Sequence, residues 1–76
     1  MAEVIHIGHI IQEELRLQGR TVTWLAQQLG VSRMGCYRIF QGYSIDTQVL
    51  FRISGLVGRD FFAEYSRRLT ASNGKV

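Results

Sequence analysis

The stretch Val22–Gln41 reads VTWLAQQLGVSRMGCYRIFQ, and the spacing of its small, apolar and glycine positions decides the fold. Thr21 stands before it as an N-cap, a residue type whose side-chain oxygen accepts from an N–H of the first helical turn. Leu25, Ala26 and Leu29 then recur at helical spacing. Gly30 follows at the position where a helix ends in a left-handed conformation, which glycine adopts without steric cost. Ser32 caps a second helix, from about Arg33 to Gln41, and Gly42 ends it. Two short helices joined by a tight glycine-containing turn predict a helix-turn-helix. In such a unit Ala26 is small because the second helix crosses close to it. Leu25, Leu29, Val31, Cys36 and Ile39 are apolar to lock the crossing, with Val31 filling the space under the turn and Phe40 flanking the core positions. A plain helical hairpin would show similar spacing, and a fold does not by itself fix a function.

Outward from this unit the apolar spacing stays helical. A first helix is expected from about Ile5 to Gln18, with Ile7, Ile11 and Leu15 as its apolar stripe, Ile10 beside it and Gly19 at its end. A fourth runs from about Thr47 to Leu56, capped by Ser44 or Asp46, with Val49, Leu50, Ile53 and Leu56 inward. Asp60 caps a last helix that continues to about Arg67. Phe61 and Phe62 diverge by about 100° on a helix, so Phe61, Phe62 and Tyr65 are not all expected to face one small core, and an exposed aromatic there suggests an interface. The expected architecture is all-α, five helices in one domain spanning residues 5–68, with a small, polar, frayed tail at 69–76.

Composition narrows the class. The chain has 76 residues and a net charge of +3, with a pI near 9.6. Acids stand at Glu3, Glu13, Glu14, Asp46, Asp60 and Glu64, and none lies between Leu15 and Ile45, where Arg16, Arg20, Arg33 and Arg38 fall. A nucleic-acid backbone favours such a stretch, because basic side chains release its condensed counterions; an ordinary solvated surface would read the same on charge alone. No apolar run is long enough to span a membrane, and Met1–Ile11 has no signal-peptide pattern. Cys36 is the only cysteine, so no intramolecular disulfide forms, which fits a cytoplasmic setting.

Other residues invite chemistry without supporting it. His6 and His9 lie three apart on the first helix, but a metal site needs further ligands. Cys36 occupies an apolar position of the motif, where a thiol behaves as a small hydrophobe. Trp24 could stack on a base, yet its place at a helix start predicts partial burial against the first helix. No set of catalytic groups emerges, and no cofactor is expected.

The chain resembles the Cro- and lambda-repressor-like helix-turn-helix family, also called the XRE family. The resemblance covers about Ile7 to Tyr65. It rests on Ile7-Gly8 with Ile11, on Trp24-Leu25-Ala26 with Leu29-Gly30-Val31-Ser32-Arg33, on Tyr37-Arg38-Ile39 with Gly42, and on Ser44-Ile45-Asp46-Thr47 leading to Leu50 and Ile53. It implies a five-helix fold, sequence-specific binding of double-stranded DNA as a small transcriptional regulator, commonly a homodimer on a palindromic operator, and neither enzymatic activity nor cofactor. Carried over by position, base reading falls on Arg33, Met34 and Arg38, and phosphate contact on Thr23, Ser32, Tyr37, Gln41 and Tyr43. Three positions depart from the family. Val22 stands where many relatives have a phosphate-bonding glutamine. Gly35 lies inside the recognition helix, either for close approach to DNA or a partner or as drift at an exposed position. Phe40 replaces a usually polar residue. Met34, Gly35, Tyr37 and Phe40 make this helix apolar for a DNA reader, so a protein-interaction module of antitoxin or adaptor type on the same fold is the alternative. No small-molecule effector is evident.

Overall fold

The computed structural model describes residues 4–73, with side-chain surroundings up to residue 70. It contains α1 (Ile7–Leu17), α2 (Val22–Leu29), α3 (Arg33–Gln41), α4 (Thr47–Val57) and α5 (Ala63–Asn73), and no strand among the described residues. The fold is all-α. No described helix is long and apolar enough to cross a membrane.

The starts of α2, α3 and α4 are each fixed by a short polar side chain that takes up orphan N–H groups of the first turn. Thr21 Oγ1 accepts from Trp24 N at 3.0 Å, Ser32 Oγ from Gly35 N at 3.0 Å, and Asp46 Oδ1 from Gln48 N and Val49 N. Asp46, not Ser44, is thus the cap of α4. α1 begins at Ile7 rather than Ile5 because the imidazole of His6 takes the cap position, its Nδ1 accepting from His9 N. Gly30 closes α2 at φ 72°, and the Val31 N–H turns back to the Ala26 carbonyl at 3.0 Å.

Every helix or its leading turn contributes to one core: Ile7, Ile11 and Leu15; Leu25, Ala26 and Leu29; Cys36 and Phe40; Leu50, Ile53 and Val57; and Phe61 just before α5. Five expectations change here. Val31 does not fill the space under the turn; it is 44% exposed. Its methyls instead lie against the first turn of α3, 3.5 Å from where a Gly35 Cβ would stand. In α3 the deep partner of Cys36 is Phe40, one helical turn on, while Ile39 is only half-buried. Val57 extends α4 by one residue and joins its buried face. Phe61 belongs to a turn, not a helix: Asp60 Oδ1 accepts from Phe62 N, and α5 starts at Ala63. The angular argument that forced an aromatic into solvent therefore fails. Phe61 is buried, Phe62 and Tyr65 are half-buried, and the exposed aromatic of this end is Phe51 on α4. α5 runs to Asn73 where the sequence stopped it near Arg67, and residues 74–76 of the expected tail lie outside the described residues.

A buried carboxylate ties the ends together. Glu64 is 5% exposed. Arg59 donates to it at 2.5 Å and also to Glu14 of α1 at 2.6 Å, while Arg67 adds a bond at 2.9 Å. Burial alone would raise the Glu64 carboxyl, but the hydrogen bonds from Arg59 and Arg67 outweigh it and hold the group below its usual range. Such a pair fixes geometry more than it adds net stability, because desolvation offsets much of the attraction.

The tightest contact lies where α1 starts. Gly8 N donates to the Gly42 carbonyl at 3.1 Å, and a Cβ on Gly8 would stand inside the van der Waals radii of the Ile39 and Phe40 carbonyl oxygens. Backbone meets backbone here, so no side chain can rotate aside. Gly8→Ala is expected to cost about 2–3 kcal/mol or more of unfolding free energy through overpacking. Urea unfolding of the two proteins measures it; equal midpoints would mean that α1 and α3 do not meet this closely.

Candidate nucleic-acid interface

The outer face of α3 follows directly from its inner one. With Cys36 and Phe40 in the core, the helical period turns Met34, Tyr37, Arg38 and Gln41 outward; Arg33, three residues before Cys36, lies on the side of the buried pair but opens the helix, and all five are exposed. Met34 is 62% exposed. Of the three residues expected to read bases, Met34 and Arg38 share one face with Tyr37 and Gln41, and Arg33 stands exposed at the first position of the helix, around its side from them. The face is built on a rigid base: α3 is packed against α1 and α2, and the Tyr37 ring stands edge-on to the buried Phe40 ring at 6.0 Å.

Ser32 spends one acceptor on the Gly35 N–H, and its hydroxyl proton stays available to a further acceptor. At the start of α2, Thr21 satisfies Trp24 N. The N–H groups of Val22 and Thr23 precede the first intrahelical bond, so they are open to an anion at the positive end of the helix. Thr23 itself is exposed. Tyr43, in the loop after α3, is 61% exposed, and its ring lies 4.0 Å from that of His6, which in turn stacks on His9 at 3.6 Å. The sequence gives no sign of this bracing, since His6 and Tyr43 are far apart in the chain; a histidine pair three apart at a helix start is its nearest signal. Arg20 was also missed as a positioned group. Its guanidinium lies 4.1 Å above the Trp24 ring and its Nε donates to Gln18 at 3.0 Å. Trp24 is half-buried and packs on the core, so one face of the ring is covered by Arg20.

Electrostatics separate α3 from the rest of the surface. Arg16 pairs with Glu13, Arg59 with Glu14 and Glu64, and Arg67 and Arg68 with Glu64. Arg52 donates to the Gln28 carbonyl. Among the described residues, Arg33 and Arg38 are the arginines that engage no other group of the chain. Two exposed guanidinium groups on one short helix, with no acid between Leu15 and Ile45, can take up an external acceptor without breaking an internal pair. Cys36 faces the other way; burial pushes its thiol above the usual range. Among the described residues no three His, Cys, Asp or Glu side chains gather in a way that could hold a metal ion.

Gly35 has negative φ, and an added Cβ would meet Val31 and Ser32 only at ordinary contact distance. The fold therefore does not require glycine there. No family model matches the chain, and no curated protein or solved structure matches it. Gly35→Ala is expected to stabilise the free protein by about 0.5–1 kcal/mol, the helix-propensity difference. Thermal unfolding checks this, and a lowered midpoint would reveal a steric demand inside the chain.

Proposed function

We propose that the chain binds double-stranded DNA sequence-specifically as a small transcriptional regulator of the lambda-repressor-like, XRE type, with α3 as the recognition helix of a helix-turn-helix lying in the major groove. The observation that carries this reading is the pair of exposed, unpartnered guanidinium groups on α3, Arg33 at its first position and Arg38 on its outer face. Elsewhere in the described chain, arginines are held by carboxylates, carbonyls or an aromatic ring.

In this geometry the N-terminal residues of α3 meet base edges. Arg33 offers a bidentate pair of donors to guanine, and Met34 offers apolar contact to a thymine methyl. Arg38, farther along the same face, reads a base or clamps a phosphate. Ser32, Tyr37, Gln41, Thr23 and Tyr43 fix the register through phosphates, which carry no sequence information. Val22 lacks the glutamine side chain of many relatives, and the open N–H groups of Val22 and Thr23 take its place as phosphate donors. A single recognition helix covers only a few base pairs, so useful specificity calls for two copies on a two-fold site. The reading needs no catalytic group and no cofactor, and it carries a cytoplasmic location with it. The rival reading, a protein-interaction module, loses one support: Phe40 is in the core, which leaves Met34 and Tyr37 as the exposed apolar groups of α3.

Fluorescence anisotropy with random and selected duplexes over a salt series tests the proposal. Affinity is expected to fall steeply with salt. Arg33→Ala is expected to lose about 1–3 kcal/mol of discrimination at one base position, whereas loss of a phosphate contact weakens all duplexes alike. A flat signal at low salt and high protein concentration would overturn it.

A further inference from the structure

The start of α1 carries a stack of rings outside the core. His6 lies nearly flat on His9, with ring centroids 3.6 Å apart and planes 12° from parallel, and the Tyr43 ring lies 4.0 Å from that of His6. The two imidazoles are not equivalent. Nδ1 of His6 accepts from the His9 backbone N–H, 3.2 Å away, and so caps α1. A ring nitrogen that accepts carries no proton, so His6 caps the helix only as the neutral imidazole with its proton on Nε2. The His9 side chain is exposed, and among the described residues neither of its ring nitrogens bonds to another group of the chain. His9 can therefore take a proton without breaking a hydrogen bond of the fold. Two imidazolium rings stacked this closely would repel, so one ring of the pair charges while the other stays neutral.

His9 also stands beside groups already assigned to the DNA backbone. It lines an open cleft of about 540 Å³ whose walls include Arg16, Arg20 and, at the start of α2, Thr21 and Val22. On its other flank it stacks on His6, which meets Tyr43. Tyr43 and the open N–H groups that begin α2 thus lie to either side of this ring. The charged and titratable groups around it are Glu13 one turn on in α1, Arg16 and Arg20 across the cleft, and His6 and Tyr43. Glu13, the carboxylate that lines the cleft, is engaged by Arg16. The anion left for an imidazolium here is one from outside the chain.

We propose that His9 is a proton-linked contact to the DNA backbone: on binding duplex its ring takes up a proton from solvent and donates to a phosphate oxygen, while His6 stays neutral as the cap of α1. A phosphate beside the ring favours the charged form. Duplex and proton then promote each other's binding, and by linkage the affinity for duplex rises as pH falls. The phosphate carries no base identity, so the effect is the same on every sequence. This deepens the function proposed above by adding regulation of that surface by pH, and it rests on the reading of α3 as the DNA-binding element.

Fluorescence anisotropy of the full chain with a selected duplex, at fixed salt and from about pH 8 to about pH 6, tests it over the range in which imidazole ordinarily titrates. Affinity is expected to rise about tenfold toward the acid end, the effect of about one proton taken up. His9→Gln keeps a donor but cannot charge, and it is expected to bind with nearly the same affinity throughout. His6→Asn keeps a side chain able to cap a helix, and it is expected to keep the slope. Circular dichroism verifies that both variants retain their helices. Nitrogen NMR of the histidine rings in the complex, at the acid end, is expected to find both nitrogens of His9 protonated and Nδ1 of His6 bare. Duplex binding that does not change with pH, or a His9→Gln chain that keeps the full slope, overturns the proposal and leaves the reading of α3 standing. A chain that binds no duplex at any pH overturns that reading and this proposal with it.

Discussion

The contact between the backbone of Gly8 and the last turn of α3 is the constraint on which the other placements depend. The Gly8 N–H takes the Gly42 carbonyl, and the missing Cβ leaves room for the carbonyls of Ile39 and Phe40. With the end of α3 pressed against the start of α1, Phe40 is turned into the core that it shares with Ile7, Ile11 and Leu25. Burial of Cys36 and Phe40 then fixes the rotation of α3, and the outward direction of Met34, Tyr37, Arg38 and Gln41 follows from the helical period, while Arg33 is exposed at the helix's first position. The same junction sets the loop after α3, where Tyr43 meets His6.

Charge is distributed to match this division. At the far end of the molecule, Glu64 gathers Arg59, Arg67 and Arg68, and Arg59 reaches across to Glu14 of α1. That network engages Arg59, Arg67 and Arg68 with two carboxylates. The two arginines of α3 are left to solvent, along with the open N–H groups that begin α2. A modest net charge of +3 is therefore compatible with a locally cationic face, because local field and not total charge steers a polyanion.

Much of the fold was legible in the chain. Helical spacing, Thr21 and Ser32 as caps, and Gly30 as the left-handed stop define α2 and α3 to the residue, since each rests on local chemistry. The misses are tertiary. Ile39 and Phe40 are both apolar neighbours, and periodicity alone does not say which points deeper; the approach of α1 decides it. Val31 was assigned to the turn's interior, but its N–H bond to Ala26 leaves the side chain on the outside, against α3. Phe61 looked helical because Asp60 resembles a cap, yet the capped segment is a turn and the helix begins two residues later. No local pattern explains Gly8, whose reason is a contact with a segment more than thirty residues away in the chain. In the candidate site, the exposed positions were readable from the period, whereas the bracing of Tyr43 by His6 and the seating of Arg20 on Trp24 depend on neighbours that no local pattern brings together.

The central claim is that the outer face of α3 is the surface that meets duplex DNA. Its most direct test is an NMR titration of the isotopically labelled chain with a selected duplex, following backbone amides and arginine side-chain signals. The account predicts the largest shifts at Ser32, Arg33, Met34, Tyr37 and Arg38, with a second group at Val22, Thr23 and Tyr43. Absence of shifts on adding duplex, or shifts centred on α5 with α3 unmoved, would contradict it.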